Sequence, residues 1–271
     1  MDDSMMLLEL YGKFSRMKND IGEEHCQKIN ASHPDFKNQV CQRIQDLHRK
    51  DEAVIIAGET SAGKSSLMNL LLGCKLCSVS NKPATDKIYR VHNSNDKRVV
   101  CKGGKGEVTH ESSHDDLKSL ESILRKTVSK SSENLFVDIY LPIPEAKGKV
   151  VLVDTPGIGD SQEHTEILMS YIPNAVAFVF IVNVSSAGGF QDGRLLDIFK
   201  RIEDRRQEMP CFNPKDVLFV MNKCDRIEKH EHDEILQSAN KSLYEAWPYV
   251  SMAPENTFHV SLKQILRRIG I

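Results

Sequence analysis

The sequence has little net charge and no hydrophobic run long enough to cross a membrane. Its 36 basic residues nearly balance 38 acidic ones, which leaves a formal net charge of −2 over 271 residues. Because long-range attraction to nucleic acid or to an anionic membrane needs an excess of positive charge, the bulk charge favours neither partner. The longest apolar stretch, residues 175–182, is only about half of a membrane span and predicts a central β-strand.

The sequence also lacks the cysteine pattern of a secreted or zinc-binding protein. Its seven cysteines are an odd number scattered along the chain, and the pair Cys74 and Cys77 has no second pair at ligand spacing. We therefore expect a reducing compartment. The acidic start Met1–Ser4 is not that of a signal peptide, so we expect a cytoplasmic location, either free or peripheral to a membrane.

What the sequence does contain is a phosphate-binding loop. Residues 58–65 fit the pattern G-x-x-x-x-G-K-[ST], and they stand between an apolar β-branched strand pattern at 53–57 and a helical pattern at 66–72. In that setting, backbone N–H groups and the helix N-terminus bind phosphates, Lys64 reaches the β- and γ-phosphates, and the Ser65 hydroxyl binds Mg²⁺. We expect nucleotide contacts from Glu59, Thr60, Ser61, Ala62, Gly63, Lys64, Ser65 and Ser66. The chain is predicted to bind a nucleoside triphosphate.

The base is predicted by Asn222-Lys223-Cys224-Asp225, which follows the apolar stretch 216–221. Guanine presents two hydrogen-bond donors on one edge, and the single carboxylate of Asp225 can accept both. Adenine has no such pair of donors. Asn222 and Lys223 are expected to brace the loop and cover the base. The predicted ligands are therefore GTP and GDP.

A third motif, Asp154-Thr155-Pro156-Gly157, ends the apolar strand pattern that begins at residue 150. Asp154 is expected to hold Mg²⁺ through water, as the Walker-B aspartate does. Gly157 has no side chain, so its backbone N–H can approach the γ-phosphate. Because that contact exists only in the triphosphate state, it can report hydrolysis to the loop that follows.

These motifs, in this order, place the chain among the P-loop GTPases, and their detail resembles the dynamin superfamily. The similar features are Ser-Ala before Gly63 in the phosphate loop, the segment Leu70-Leu71-Leu72-Gly73 in the helix behind it, and Asp154–Asp160. The resemblance covers roughly residues 51 to 263. It implies GTP hydrolysis with Mg²⁺, a homodimer that forms across the nucleotide, and membrane association through segments that this chain does not include. No nucleic-acid partner is expected.

The resemblance also assigns roles to single residues. It implies that Thr85 in 81–86 is the switch threonine that completes the Mg²⁺ shell, although Thr85 could instead simply begin the next strand. Ser61 matches the phosphate-loop serine that, with K⁺ or Na⁺, assists hydrolysis in dynamin-type proteins; turn formation is the alternative role for a serine there. Ser61, Lys64 and Thr85 are therefore the candidate catalytic residues. The last guanine-contacting loop is expected at Ser261, Leu262 and Lys263.

The order of apolar patterns predicts an α/β fold. From residue 51 onward, strand patterns near residues 53, 87, 98, 136, 150, 176, 216 and 257 alternate with helical patterns near 65, 115, 164, 191, 233 and 263. Alternation of this kind gives a mostly parallel sheet with helices on both faces, and residues 102–106 predict a hairpin turn between the second and third strands. Helical spacing at 5–20 and 34–50 predicts an N-terminal helical segment, 1–50, before a dynamin-type GTPase domain, 51–271.

Two other functions remain compatible with these motifs. The chain could be a monomeric regulatory or ribosome-assembly-type GTPase that needs an external activator. No arginine stands among residues 59–62, so the cis arginine finger of guanylate-binding proteins is not expected in this loop. No glutamine directly follows Gly157, where small regulatory GTPases carry a water-positioning one. The chain could also be a nucleotide-gated scaffold that dimerises and hydrolyses GTP negligibly.

Overall fold

The chain divides into two compact units, residues 1–50 and 51–271. The computed structural model describes residues 28, 31–32, 52–76, 87–103, 106–128, 134–143, 150–155, 157, 162–186, 193–209 and 212–271. The helices predicted at 5–20 and 34–50 and the candidate switch residue Thr85 lie outside the described residues.

In the described part of the second unit, nine strands form one sheet in the order β4-β3-β5-β2-β6-β1-β7-β8-β9. The strands are β1 (Glu52–Gly58), β2 (Ile88–Asn93), β3 (Lys97–Gly103), β4 (Val108–His114), β5 (Asn134–Leu141), β6 (Val150–Asp154), β7 (Ala175–Asn183), β8 (Leu218–Asn222) and β9 (Thr257–Val260). The α-helices described are α1 (Lys64–Leu72), α2 (Leu117–Val128), α3 (Gln162–Tyr171), α4 (Arg194–Asp204), α5 (His232–Ala246) and α6 (Leu262–Arg268).

The sheet has a parallel half and a mixed half. Strands β6, β1, β7, β8 and β9 are parallel to one another. Strand β2 pairs antiparallel with β6 and parallel with β5, and β3 pairs antiparallel with both β5 and β4. The predicted α/β fold with a mostly parallel sheet is confirmed.

One strand was not predicted from the sequence. Strand β4 has few apolar residues and mostly exposed side chains, so its sequence lacks the alternation that marks a half-buried strand. It forms because β3 pairs with it along most of its length, with one shift in register between Cys101 and Lys102. The hairpin turn predicted at 102–106 therefore joins the third and fourth strands, not the second and third.

Hydrophobic clusters lie on both faces of the sheet. Ile55 and Ile56, which are successive residues of β1, are both fully buried but belong to different clusters. One cluster includes residues of α3, α4 and α5, and the other includes residues of α1, α2 and α6. The predicted arrangement of helices on both faces is confirmed, and the central strands are buried on both sides, as a parallel sheet requires.

The mixed half of the sheet contains a buried carboxylate with two cationic neighbours and a histidine. Asp138 on β5 accepts hydrogen bonds from Nε and, at 2.6 Å, from Nη2 of Arg90. Lys102 Nζ lies 2.8 Å from the same carboxylate, and His92 Nε2 lies 3.2 Å from it. Burial alone would raise the pKa of Asp138, but the hydrogen bonds from His92, Arg90 and Lys102 hold that pKa well below its usual range. The cluster joins β2, β5 and β3.

Candidate nucleotide-binding site

The three predicted motifs come together at one edge of the sheet. Strands β1, β6 and β8 end in the phosphate loop, in Asp154 and in Asn222, and the pairings of these strands with one another or with β7 are all parallel. In an open α/β sheet, ligands bind at the carboxyl ends of such strands. The fold therefore positions the motifs for one shared ligand.

The phosphate loop is held in a conformation that depends on glycine. Gly63 has φ +119°, and a Cβ at this position would lie 2.4 Å from Nδ2 of Asn222. Ser61 has φ 59° although it is not a glycine, and its side chain is exposed. Such a left-handed residue carries strain of order 1 kcal/mol, which functional loops often tolerate.

Lys64 is buried within its own loop. Its Nζ donates hydrogen bonds to the carbonyl oxygens of Gly58 at 2.8 Å and Glu59 at 3.0 Å, and the residue is 8% exposed. Two donors of the ammonium group are thereby used to fix its position.

Asp154 is buried at the end of β6, beside the phosphate loop. Ser65 Oγ donates a hydrogen bond to its Oδ2 at 3.3 Å. Burial raises the pKa of Asp154 to about 6, although the positive charge of Lys64 and the hydrogen bond from Ser65 act in the opposite direction. Its other oxygen, Oδ1, is buried and has no hydrogen-bond partner among the described residues.

These features fit a magnesium site. A buried carboxylate oxygen without a donor is costly, and a hydrated Mg²⁺ ion would satisfy it. Ser65 supplies a hydroxyl oxygen 3.3 Å from the same carboxylate, and hydroxyl and carboxylate oxygens are the ligands that Mg²⁺ prefers. Ser65 and Asp154 would therefore hold the ion, which neutralises phosphate charge when it is bound.

Asn222 connects the phosphate loop with the last loop of the site. Its Nδ2 donates to the carbonyl oxygen of Ala62 at 2.7 Å, and its Oδ1 accepts from the backbone N–H of Leu262 at 3.0 Å. Asn222 is 4% exposed, so water does not replace these bonds easily. The Leu262 N–H lies in the first turn of α6, where it has no partner within the helix. Asn222 therefore fixes the relative position of two of the three loops.

The remaining predicted base-contacting residues lie around the same strand ends. Lys223 has φ 69° and is half-buried, and burial, followed by the charge of Arg226, lowers its pKa against the opposing effect of Asp225. The carboxylate of Asp225 is exposed to solvent. Ser261 caps α6, since its side chain accepts from the Gln264 N–H at 3.4 Å.

The two residues that follow Ser261 differ in exposure: Leu262 is buried and Lys263 is exposed. Gly157 is buried shortly after β6 ends. Hydrogen bonds thus join the phosphate loop to Asp154 and to Asn222, whereas the switch residue Thr85 lies outside the described part of the chain.

One residue of the site was missed by sequence reasoning. Thr155 is 2% exposed, and its Oγ1 donates a hydrogen bond to the carbonyl oxygen of Ile56 at 3.0 Å. The sequence signals only that Thr155 is part of the third motif. Its partner is 99 residues away along the chain, so the pairing could be found only from the strand register.

Two further features of the described residues bear on function. No group of three or more His, Cys, Asp or Glu side chains is arranged there to hold a metal ion, and this includes the segment His230–Glu234. None of the helices in the same residues combines the length and the apolar character needed to cross a membrane.

Known proteins similar to this chain include a bacterial dynamin-like protein. The sequence matches the model of the Dynamin family over residues 54–224. It is 26% identical over 233 residues to an uncharacterised protein in the xynA 3′ region of Caldicellulosiruptor sp. (strain Rt8B.4), a match that covers 85% of this chain and 52% of that protein. It is 24% identical over 228 residues to Dynamin-like protein 2 of Campylobacter jejuni, with coverage of 82% and 34%.

The fold is similar to that of a bacterial dynamin of known structure. One chain of an oligomerised bacterial dynamin pair aligns with a TM-score of 0.55 and 19% identity, over 91% of this chain and 38% of that chain. At this identity the likeness shows the fold alone. The chain spans about half the length, or only a third, of the curated relatives it matches. Because the family match extends over more than half of the sequence, this chain belongs to the dynamin family.

Proposed function

We propose that the chain binds GTP and hydrolyses it to GDP and phosphate with Mg²⁺. The observation that carries this proposal is the linkage of the three motifs by hydrogen bonds: Asn222 joins the phosphate loop to the last loop, and Ser65 joins the phosphate loop to Asp154. A site assembled in this way presents phosphate-binding, metal-binding and base-binding groups to one ligand.

Each loop has a separate task in this proposal. Lys64 binds the β- and γ-phosphates in both the ground and the transition state, and Ser65 and Asp154 hold Mg²⁺. Gly157 contacts the γ-phosphate through its backbone, and Thr85 completes the metal shell. The phosphate-loop contacts are Glu59, Thr60, Ser61, Ala62, Gly63, Lys64, Ser65 and Ser66, and the base contacts are Asn222, Lys223, Asp225, Ser261, Leu262 and Lys263.

Competition between nucleotides tests the binding part of the proposal. Fluorescent GDP bound to the purified protein should be displaced by GTP but not by ATP, with a preference of about 10⁴-fold, because a polar site rejects a ligand that leaves its groups unpaired. Equal displacement by ATP and GTP would rule out the proposed base recognition.

We further propose that hydrolysis depends on dimerisation of the GTPase domain across the nucleotide. Phosphoryl transfer develops charge on the γ-phosphate oxygens, and residues 59–62 of the phosphate loop supply no arginine to compensate it. Ser61 is exposed and has a left-handed conformation, which suits contact with a monovalent cation, K⁺ or Na⁺. The similar bacterial dynamin pair is oligomerised, which supports a dimer here.

The dimer proposal is tested by dilution. Turnover per molecule should rise with protein concentration and require K⁺ or Na⁺, and GDP with aluminium fluoride should convert monomers into dimers in light-scattering measurements. Ser61→Ala and Ser61→Gly should both lose the dimer and the activity. The pair is informative because glycine removes the left-handed strain and alanine keeps it, whereas both lack the hydroxyl.

Two outcomes would replace the dimer proposal. Turnover that stays constant over a hundredfold dilution, with a monomer in aluminium fluoride, identifies a monomeric GTPase that uses an external activator. A dimer that forms with GTP but releases no phosphate identifies a nucleotide-gated scaffold.

For the whole protein we propose a cytoplasmic GTPase that meets a membrane at its periphery through segments outside this chain. The similar bacterial dynamin pair is described as sensing and tethering membranes over a long range, and that description supports the idea. The chain alone should not sediment with anionic lipid vesicles, because its charges balance.

A further inference from the structure

A side-chain hydrogen bond from Thr155 connects the end of strand β6 to β1. The register places Asp154 opposite Ile56, and the next backbone bond, from the Thr155 N–H to the Ile56 carbonyl, is 3.4 Å long. That length exceeds the usual range for a backbone hydrogen bond. The hydroxyl of Thr155 donates to the same carbonyl oxygen at 3.0 Å. The side chain, more than the ladder, therefore holds the strand at the point where it ends.

The carboxylate of Asp154, next to this hydrogen bond, makes few hydrogen bonds of its own. Among the described residues, Oδ1 of Asp154 has no hydrogen-bond partner, and Oδ2 accepts a bond of 3.3 Å from Ser65. Its position must therefore be set mainly by the backbone that carries it. That backbone is flanked directly by Thr155, which is 2% exposed and bonded to Ile56, a fully buried residue of β1.

We propose that the Thr155 hydroxyl is a positioning group that holds Asp154 where it can bind Mg²⁺. This role does not require Thr155 to touch the metal or the nucleotide. The bond of this hydroxyl to Ile56 keeps the end of β6 in register, so that Asp154 stays beside Ser65. The inference rests on the proposed function, because it assumes a magnesium-dependent nucleotide site.

Release of fluorescent GDP, measured with Mg²⁺ and again with EDTA, separates this role from general stabilisation. In Thr155→Val, release with Mg²⁺ should be about fivefold faster than in the wild type, which corresponds to the loss of one hydrogen bond of typical net strength. With EDTA the two rates should agree. The Mg²⁺ concentration that gives half of the slowing should also rise about fivefold.

Three further variants complete the design. Thr155→Ser keeps the hydroxyl and should behave as the wild type, while Thr155→Ala removes the hydroxyl with a smaller side chain and should repeat the valine result. Thr257→Val is the matched control, since the Thr257 hydroxyl is also buried but has no hydrogen-bond partner among the described residues. This control should release GDP at the wild-type rate under both conditions.

The outcomes distinguish the inference from the function on which it rests. Wild-type release rates in Thr155→Val with Mg²⁺ would overturn the inference, and so would equal acceleration with Mg²⁺ and with EDTA, because the hydroxyl would then act on the phosphate loop or on folding. If the wild-type protein does not release GDP more slowly with Mg²⁺ than with EDTA, the proposed function itself is overturned. This measurement is made on the wild type before any variant is compared.

Discussion

Replacement of Asn222 by alanine should destabilise the nucleotide-free protein strongly, because both polar ends of this side chain are used inside the fold. The change removes the donor to the Ala62 carbonyl and the acceptor for the Leu262 N–H. Asn222 is 4% exposed, so the space it leaves gives solvent little access to either group. The Leu262 N–H is the more serious loss, since a first-turn donor cannot find a partner within its own helix.

The expected magnitude follows from these two bonds. Leaving a buried polar group without a partner costs roughly 1–3 kcal/mol. With one backbone donor and one backbone acceptor affected, Asn222→Ala should lower the free energy of unfolding by about 2–4 kcal/mol, which is a large fraction of the stability of a typical domain. The affinity for GDP should also fall, because the phosphate loop and the base loop would no longer hold each other in place.

The assay can be restricted to the nucleotide-binding unit. Trp247 is the single tryptophan of the chain, and it is buried against the core with its Nε1 donating to the Pro214 carbonyl at 3.0 Å. Its fluorescence during urea unfolding therefore reports on the second unit, even where the two units unfold separately. Asn95→Ala makes the same chemical change at an exposed position and should shift the free energy by no more than about 0.5 kcal/mol. Equal midpoints and slopes for the two variants would refute the reasoning.

Three other substitutions, one of them with a control variant, test separate parts of the structure. Gly63→Ala should abolish GDP binding in equilibrium titrations, because its Cβ would lie 2.4 Å from the Asn222 amide. Its control is Gly73→Ala: Gly73 also has a positive φ, of +66°, but open space around the Cβ, so this change should lower only stability, by about 1 kcal/mol. Asp138→Asn should lower the free energy of unfolding at pH 7 by about 3–5 kcal/mol, as expected when a buried ion pair loses one partner, and should leave GDP affinity unchanged. Because the folded state depresses the pKa of Asp138, this contribution is present above the ordinary aspartate pKa of 3.8 and should disappear as the pH falls below it, which unfolding curves at several pH values can follow. Asp225→Asn should exchange guanosine for xanthosine nucleotides in a competition assay, and unaltered GTP preference would contradict the assigned base contact.

The sequence was sufficient to predict the parts of this fold that depend on local patterns. Eight of the nine strands described were expected near their observed positions, because apolar strand patterns alternate with helical ones from residue 51 onward. The exception, β4, shows the limit of local patterns: nearly all of its residues are polar, and its pairing with β3 determines its conformation. An edge strand of this kind needs its partner to be recognised.

The same limit applies to the site. The phosphate loop, Asp154 and Asn222 could be predicted because each stands directly after an apolar strand, and parallel strands bring their carboxyl ends together. The bonds between them could not, since Asn222 and Ala62 are separated by 160 positions in the chain. The contacts of Asp138 with Arg90, His92 and Lys102 could not be predicted either, because they depend on the register of three strands.

The hydrogen bonds also indicate which part of the site is ready before a ligand binds. The base side and the phosphate side are already fixed to each other, because Asn222 is bonded to Ala62 and to Leu262. The metal side is less complete, since Asp154 keeps one buried oxygen without a partner among the described residues and its pKa is raised to about 6 by burial. A cation that satisfies this oxygen also stabilises the ionised carboxylate, so metal and nucleotide should strengthen each other's binding. The structure therefore favours a site in which the phosphate loop and the base loop are in place before the nucleotide binds, and in which the metal balances the charge of Asp154.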